Sequence, residues 1–432
     1  MQTLHRKLPC AIWFAVCIFA FSASAQTLPD ETNSGPDSHE TGQGPHGHLL
    51  GEWGGERSRL LERGVGIDLQ YISDTLSNVR SPQPERLASW NRYRGTVDID
   101  FGALTGLSGL YFHATALWQA GGNLGKDLGL LTNPSGMASA NTFRLDSWWI
   151  EKSWLNERVT ARLGQFAGQD SYGAEHYGAS FIFEPMGYAL NNLFTTYESF
   201  DPASTPAAEV RIVPARHLYV KSMIESEDRT PYANNITGLV PQFRGVPVSI
   251  SEIGYSRGRS AATIHPVDDV ESRKGYSGLF QFGAVYNPAK FVLPNAVTTR
   301  AGNYLLYWMA SQALWRPDPQ EGRGIDGTVA YDYSPADVNR NNRTLTAGLR
   351  FNEPMPLPIH NTMALGFVQN TLSSRFLRVG SQGWHDERGV EFNTLIDPLP
   401  MLLVQPVVQY YANVGGGVHR AVVFGFRVKV DF

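Results

Sequence analysis

The sequence predicts an all-β protein, a transmembrane antiparallel β-barrel of about 16 strands with a short N-terminal amphipathic helix. Two observations carry this prediction. Apolar and polar residues alternate in many short segments, which is typical of strands with two different faces. After the first 25 residues, the longest apolar stretch, 304–314, has about half the length that a membrane-spanning helix needs. A closed barrel satisfies the backbone hydrogen bonds of strands that cross a bilayer.

Residues 1–25 have the pattern of a secretory signal peptide. Two basic residues precede an apolar run, and Ala23-Ser24-Ala25 has the small side chains of a cleavage site. A transmembrane anchor would need a longer run of roughly 20 apolar residues. Both cysteines, Cys10 and Cys17, lie in this segment. The exported chain is therefore neither a disulfide scaffold nor a thiol enzyme.

The exported chain is mildly acidic. The whole sequence has a formal net charge of −4, and loss of Arg6 and Lys7 with the signal peptide brings it to about −6. This balance argues against nucleic acid as a partner.

Two segments precede the barrel. Residues 26–48 are polar and rich in Gly, Pro and acidic residues, so we expect a disordered polar leader. Residues 49–64 predict a short helix on the periplasmic side, because Leu60 and Leu61 share one side and Gly64 fits a helix stop.

From residue 65 to residue 432, apolar and polar residues alternate with a period of two residues. Turn sequences rich in Pro, Gly, Asn and Asp separate the alternating segments, and short and long gaps follow each other. At about 24 residues per strand and loop, the chain holds about 16 strands, a size that leaves an aqueous channel. Representative alternating segments are 67–71, 97–101, 159–164, 280–287, 344–351, 363–368, 404–410 and 424–432.

A soluble β-sandwich would also alternate, with its apolar face as a dry core. The polar face here carries few lysines, unlike most solvent-exposed surfaces. Aromatic residues cluster near strand ends, as in the interfacial girdles of membrane barrels. The aromatic doublets and single residues include Trp148-Trp149, Trp154, Tyr307-Trp308, Trp315 and Tyr410-Tyr411.

The last segment predicts the closing strand. Phe424, Phe426 and Val428 would face lipid, and Arg427 and Lys429 would face the lumen. Its aromatic end, Phe432, would lie at the membrane interface, where we expect barrel-assembly machinery to recognise it.

Several motifs resemble the carbohydrate-selective porin family of the OprB type. Their order along the chain, from about residue 49 to the end, carries the resemblance. The motifs are Leu50-Gly51-Glu52-Trp53-Gly54-Gly55-Glu56-Arg57, Arg162-Leu163-Gly164-Gln165-Phe166, Asn191-Asn192-Leu193-Phe194, Pro206-Ala207-Ala208-Glu209-Val210-Arg211, Glu391-Phe392-Asn393 and Gln405-Pro406-Val407-Val408-Gln409-Tyr410.

The resemblance implies a porin β-barrel over residues 65–432 in the bacterial outer membrane, in contact with membrane lipid, through which small carbohydrates diffuse passively. Such a pore needs lumen-facing side chains that exchange hydrogen bonds with sugar hydroxyls, and it needs no cofactor. From strand parity and family likeness, we expect pore-lining or constriction roles for Arg144, Asp146, Arg162, Glu209, Arg211 and Arg350. For each of these residues an ion pair that only satisfies buried charge is an equal alternative.

Three aromatic residues, Trp118, Trp148 and Phe194, are candidates for stacking on sugar rings, although girdle or packing roles are the more common ones. Which sugar passes stays open, and a general, non-sugar diffusion channel is an alternative.

An outer-membrane barrel hydrolase is the other alternative. The sequence has no Gly-x-Ser-x-Gly elbow, phosphate loop or His-Glu-x-x-His motif, and we expect no catalytic or metal-ligating residues. An energised receptor would need a plug domain before the barrel, but the first strand begins near residue 67.

Overall fold

A computed structural model describes most of the exported chain. The described residues are 47–173, 180–187, 196, 199–258, 261, 275–293, 297–319, 322–377 and 384–432. The predicted signal peptide, all but the last two residues of the predicted leader, and Phe194 lie outside them.

Sixteen antiparallel strands form one closed barrel in which each strand pairs with its neighbours in sequence and β1 pairs with β16. This confirms the predicted fold class. The strands are β1 (Val65–Arg80), β2 (Leu87–Asp100), β3 (Leu110–Gly121), β4 (Thr142–Trp154), β5 (Val159–Phe166), β6 (Thr205–Ala215), β7 (Leu218–Ser226), β8 (Pro247–Arg257), β9 (Gly278–Val292), β10 (Thr299–Trp315), β11 (Gly324–Tyr333), β12 (Asn341–Asn352), β13 (Asn361–Leu372), β14 (Glu387–Leu399), β15 (Leu402–Ala412) and β16 (Arg420–Asp431).

Helices are short and lie before the barrel or between strands. Helix α1 follows a 3₁₀ turn at Trp53–Gly55 and ends at Glu62, with Arg63 as its C-cap, and Gly64 then adopts a left-handed φ of 83°. No helix among the described residues has the length and hydropathy to cross a membrane. The helices are α1 (Glu56–Glu62), α2 (Phe101–Thr105), α3 (Leu124–Leu128), α4 (Glu184–Gly187), α5 (Pro231–Asn234) and α6 (Ser374–Leu377).

The barrel closes where the last strand meets the first. Asp74 on β1 pairs with Arg427 on β16, and Tyr71 pairs with Val430. Phe424 and Phe426 are 54% and 43% exposed on the outer face. Arg427 turns inward to Asp74, as the alternation of β16 predicts.

The two ends of the barrel differ in loop length. Connections after odd-numbered strands include residues 122–141 and 167–204, whereas connections after even-numbered strands are mostly shorter, such as 155–158, 216–217 and 400–401, with 258–277 after β8 as the exception. Helix α1 and the C-terminus lie at the end with the short turns. This difference matches outer-membrane barrels, in which the long loops face outward.

The long loops after β3 and β5 fold into the barrel. Phe181, Ile182, Phe183 and Met186 are almost completely buried and pack in one cluster with Val368, Val407 and other inward residues of the wall. Inward glycines make room for these side chains: a Cβ on Gly389 would lie 2.4 Å from Phe183 Cζ. The lumen therefore contains a packed apolar layer, which strand alternation does not predict.

Candidate functional site

The inner face carries cations on the two strands that flank β1. Arg92 and Arg94 lie on β2, and Arg427 and Lys429 lie on β16. Ile72 of β1 pairs with Arg92 on one side and Lys429 on the other, so the register places these cations close together. Their side chains are mostly buried, but Arg94 and Arg427 keep 18% and 14% of their side-chain surface exposed. We call these four cations the basic wall of the lumen; they are partly accessible, and the acidic residues Asp74, Asp98 and Asp431 lie on the same three strands.

Asp201, from the loop after β5, neutralises part of this basic wall. Its Oδ2 accepts hydrogen bonds from Arg92 Nη1 at 2.6 Å and from Arg94 Nη2 at 2.7 Å. Burial alone would raise the pKa of Asp201, but the two guanidinium groups outweigh it and hold that pKa below its usual value. The loop thus reaches the barrel wall through an ionised carboxylate.

A second ionic contact joins β1 to β16. Arg427 donates to Asp74 from Nε at 2.7 Å and from Nη2 at 2.9 Å. Ser135, from the loop after β3, donates to Asp74 Oδ2 at 2.6 Å. Each inward loop is therefore held to the basic wall through a carboxylate.

A charged cluster lies on β4, β5 and β6. Arg162 donates to Glu151 Oε2 from Nε and Nη2 at 3.1 and 3.0 Å, and its Nη1 donates to Ser171 at 3.2 Å. Its guanidinium lies over the ring of Trp149, 4.3 Å from the centroid. Glu209 of β6 stands opposite Arg162 in the register. The Arg162 and Glu151 side chains keep 14% and 10% exposure, so this cluster also reaches the lumen.

Comparison with known proteins identifies the family. Residues 85–432 match the model of the carbohydrate-selective porin, OprB family. The chain belongs to this family. It is thus an outer-membrane porin, whose family and fold are those of a channel rather than an enzyme.

Individual relatives are distant. Porin B of Pseudomonas aeruginosa is 22% identical over 185 residues, and the match covers 40% of each chain. The chain thus spans less than half the length of this curated relative.

Two solved structures of Pseudomonas putida OprB share the fold. The high-pH structure has a TM-score of 0.80 at 15% identity, covering 90% of this chain and 99% of that chain. The low-pH structure has a TM-score of 0.59 at 13% identity, covering 90% and 100%. At this identity the likeness concerns the fold alone.

Within this porin, the predicted residues Arg144 and Asp146 lie together but are closed off from the lumen. Arg144 Nε lies 3.6 Å from Asp146 Oδ1, and the side chains are 0% and 4% exposed. Asp146 accepts hydrogen bonds from the Ser204 backbone N–H and hydroxyl at 3.3 and 3.1 Å. Tyr232 covers the Arg144 guanidinium, 5.7 Å from its ring centroid. The contacts of this pair attach loops to the wall.

The predicted residues Glu209 and Arg211 lie beside the Arg162 cluster. Burial and the nearby carboxylates of Glu209 and Glu252 raise the pKa of Tyr172, so its hydroxyl stays neutral beside the cluster. Arg211 donates to the carbonyl of Ala261 and lies over Tyr219, 5.3 Å from the ring centroid. Arg162, Glu209 and Arg211 therefore lie in one neighbourhood of the inner face.

Arg350 lies on a different part of the wall. It pairs with Asp326 in the β11–β12 register, and its Nη2 donates to Asn352 Oδ1 at 3.1 Å. Only 1% of its surface is exposed. This network on β10–β12 is separate from the strands that carry Arg144, Arg162 and Arg211.

The aromatic candidates do not line the lumen where the structure describes them. Trp118 is 40% exposed on the outer face and packs against Tyr93 at 5.8 Å between ring centroids. Trp148 shares the outward face with Ala114, whereas Trp149 turns inward and stacks on His113 at 4.9 Å. Phe194 lies outside the described residues. Outward rings contact lipid rather than solute, so girdle positions replace the predicted stacking roles of Trp118 and Trp148.

A β-bulge explains the difference between Trp148 and Trp149. Thr115 pairs with Ser147 and Ala116 pairs with Leu145, which leaves Asp146 as the extra residue. Before the bulge the even-numbered residues of β4 face the lumen, and beyond it the odd-numbered residues do, including Trp149 and Glu151. Strict alternation could not locate this shift.

Sequence reasoning also missed a buried carboxylate, Glu252 on β8. It accepts hydrogen bonds from Tyr219 at 2.8 Å and from Tyr307 at 2.6 Å, and Lys221 Nζ lies 3.1 Å away. The inward position of Glu252 follows from the alternation of β8, but its partners come from the neighbouring strand β7 and from β10, 31 to 55 residues away in the sequence. Nothing in the local sequence pairs these residues.

Proposed function

We propose that this porin passes small carbohydrates by passive diffusion. One observation carries the proposal: partly exposed cations and carboxylates line the inner face of a closed barrel, and two inward loops narrow the space between them. Sugar hydroxyls both donate and accept hydrogen bonds, so a wall that offers both roles can replace the hydration of a sugar as it passes.

The mechanism needs no covalent step. Arg92, Arg94 and Asp201 provide polar groups on one side of the lumen, and Glu151 with Arg162 provides them on β4 and β5. The fixed charges make a polar path, and the loops set the largest solute that fits. Membership of the carbohydrate-selective porin family supports the sugar assignment.

Among the predicted site residues, we infer that Arg162, Glu209 and Arg211 line the path. Arg162 and Arg211 are half-buried, and Glu209 is their immediate neighbour. Arg144, Asp146 and Arg350 are fully enclosed, so we assign them to loop attachment and charge pairing. We further propose that Phe432 is the end recognised by barrel-assembly machinery and that α1 lies on the periplasmic side.

Liposome swelling tests the proposal. Vesicles that contain the purified porin are expected to swell with mono- and disaccharides faster than with trisaccharides, because the loops limit solute size. Equal rates for sugars and size-matched non-sugar solutes would instead indicate a general diffusion channel. No swelling with any sugar, despite measurable ion conductance, would contradict the proposal.

Arg211→Ala tests the placement of the path. Loss of one lumen cation is expected to shift ion selectivity toward cations and to change the sugar swelling rate about twofold. Arg59→Ala, on the exposed surface of α1, is the matched control and should change neither quantity. Unchanged selectivity and uptake in Arg211→Ala would remove this residue from the path.

A further inference from the structure

Three arginines mark one end of the outer face between β12 and β16. Arg343, Arg388 and Arg420 are exposed and lie within the first three residues of β12, β14 and β16, at the end with the long loops. We call these three residues the arginine row. Neighbouring strands are about 4.8 Å apart, so successive members of the row stand on strands about 10 Å apart.

The arginine row borders the apolar band of the barrel. Two residues further along each strand, on the same face, come Leu345, Val390 and Val422, and below them exposed Phe392 and Phe424. Tyr333 and Tyr410 lie at the same border, and the Arg343 guanidinium lies 5.9 Å from the Tyr333 ring centroid. Aromatic residues in this position mark the interface between hydrocarbon and headgroups. The guanidinium groups are therefore at the depth of lipid headgroups.

Among the even-numbered strands, an exposed arginine at this end is confined to β12, β14 and β16. The other even-numbered strands begin, on the same end, with uncharged outward residues. These residues are Leu87, Phe143, Pro206, Pro247 and Thr299.

Few negative charges of the protein neutralise the arginine row. Among the residues that the structure describes, no carboxylate forms an ion pair with Arg343, Arg388 or Arg420. Asp386, two residues before Arg388, accepts hydrogen bonds from Gln369 at 3.1 Å and from Thr371 and Leu372 at 3.4 Å each. Gln369 in turn accepts a hydrogen bond from Arg388 Nε at 3.1 Å, which orients that guanidinium.

We propose that the outer face of β12–β16 binds an anionic membrane lipid that carries at least two phosphate groups. Guanidinium groups bind phosphate oxygens through paired N–H donors, and three of them on alternate strands can contact more than one phosphate. The acyl chains of the same lipid would lie on the apolar band formed by Val390, Phe392, Val422 and Phe424. The row thus fixes a lipid at a set position on the barrel and has no part in the lumen.

Native mass spectrometry of the purified mature porin in detergent tests this site. The probes are lipid A with two phosphate groups and the same lipid with both phosphates removed. The wild type is expected to retain the phosphorylated lipid preferentially, with binding that weakens as salt rises. The triple variant Arg343→Gln, Arg388→Gln, Arg420→Gln is expected to bind it about a hundredfold more weakly, since three cations at a charged lipid surface are lost.

A control variant carries the same charge change at the other end of the barrel. Arg59→Gln, Arg63→Gln, Arg257→Gln removes three exposed cations and is expected to bind the phosphorylated lipid like the wild type. Conductance should be unchanged in both variants. An unchanged conductance also shows that both variants fold. Single substitutions in the row, expected to weaken binding severalfold each, test the site if the triple variant does not fold.

Three results would overturn the proposal. They are equal binding of the two lipids by the wild type, equal loss of binding in the control variant, and a changed oligomeric state of the row variant without any change in lipid preference. The last result would assign the row to contact with a second copy of the chain.

Discussion

The carboxylate of Asp201 joins a lumen loop to two arginines of the barrel wall. Because Arg92 and Arg94 both donate to one oxygen, the charge balance of this region depends on a single residue. Asp201→Asn is expected to make the lumen more selective for anions, with the anion-to-cation permeability ratio rising about two- to threefold. Reversal potentials in a salt gradient measure this ratio. Asp127→Asn, in the more exposed ion pair with Arg86, is the control and should leave the permeability ratio unchanged. An equal shift of the ratio in both variants would contradict the role of Asp201 in the charge balance of the lumen.

Glu184 connects the two inward loops and is expected to make their contact depend on pH. Its carboxylate accepts a hydrogen bond from the Asn133 N–H at 3.0 Å, and burial raises its pKa to about 7. A raised pKa means that the folded loops favour the protonated acid. The stabilisation is complete below the ordinary glutamate value near 4.5 and is lost as the pH rises through about 7, by about 3 kcal/mol at most.

Hydrogen exchange at the amides of residues 131–137, corrected for intrinsic rates, measures this contact between pH 5 and pH 8. Protection should fall as the pH rises in the wild type and should vary less in Glu184→Gln, which stays neutral. Glu62→Gln, on exposed α1, is the control and should keep the wild-type profile. A pH-independent wild type would contradict this role for Glu184.

At the scale of elements, the inward glycines of the wall and the aromatic residues of the loop after β5 fit together. Gly389→Ala places a methyl group 2.4 Å from Phe183 Cζ and 3.0 Å from Val368 Cγ1, so the loop or its ring must move. We expect a loss of about 1–3 kcal/mol in loop attachment and a larger or more variable single-channel conductance. Gly66→Ala, whose methyl group meets Asp98 Cβ at 3.6 Å, should behave like the wild type. Identical conductance in both variants would show that the loop does not narrow the channel.

The strands were predictable because side-chain alternation is a local property. On β16 the alternation assigned Phe424 and Phe426 to the outside and Arg427 to the inside, and the structure agrees. On β4 the same rule failed at Asp146, since an extra residue in the strand reverses all faces that follow. For this reason Glu151, the partner of Arg162, was absent from the predicted site.

At the scale of the whole molecule, the two ends of the barrel sequence are held together. The Phe432 N–H donates to the Leu69 carbonyl at 2.8 Å, and Arg57 Nη2 donates to the Phe432 carbonyl at 2.5 Å. Deletion of Phe432 removes these closing contacts and the aromatic end of the chain. We expect a severalfold lower yield of folded porin in the outer membrane, measured by fractionation and immunoblotting.

Phe432→Ala separates the loss of the closing contacts from the loss of the aromatic end, because it keeps the backbone contacts and removes the ring, and it should assemble as poorly as the deletion if the ring is what is recognised. Arg57→Gln removes one closing contact alone. Normal assembly after deletion of Phe432 would contradict the proposed role of the terminal residue.

By itself, the sequence determined the class of solvent on each face of the strands, the approximate number of strands, and the family. The faces and the number of the strands follow from patterns within about ten residues, since a strand that crosses a bilayer must alternate along its own length. The family follows from the order of motifs along the chain. Tertiary structure alone decided which charged residues reach the lumen. Arg144, Arg350 and Arg162 all occupy inward positions in the alternation of their strands. Loops and neighbouring strands enclose the first two, but they leave Arg162 partly exposed. Accessibility depends on residues brought together from distant parts of the chain, and no local pattern records that.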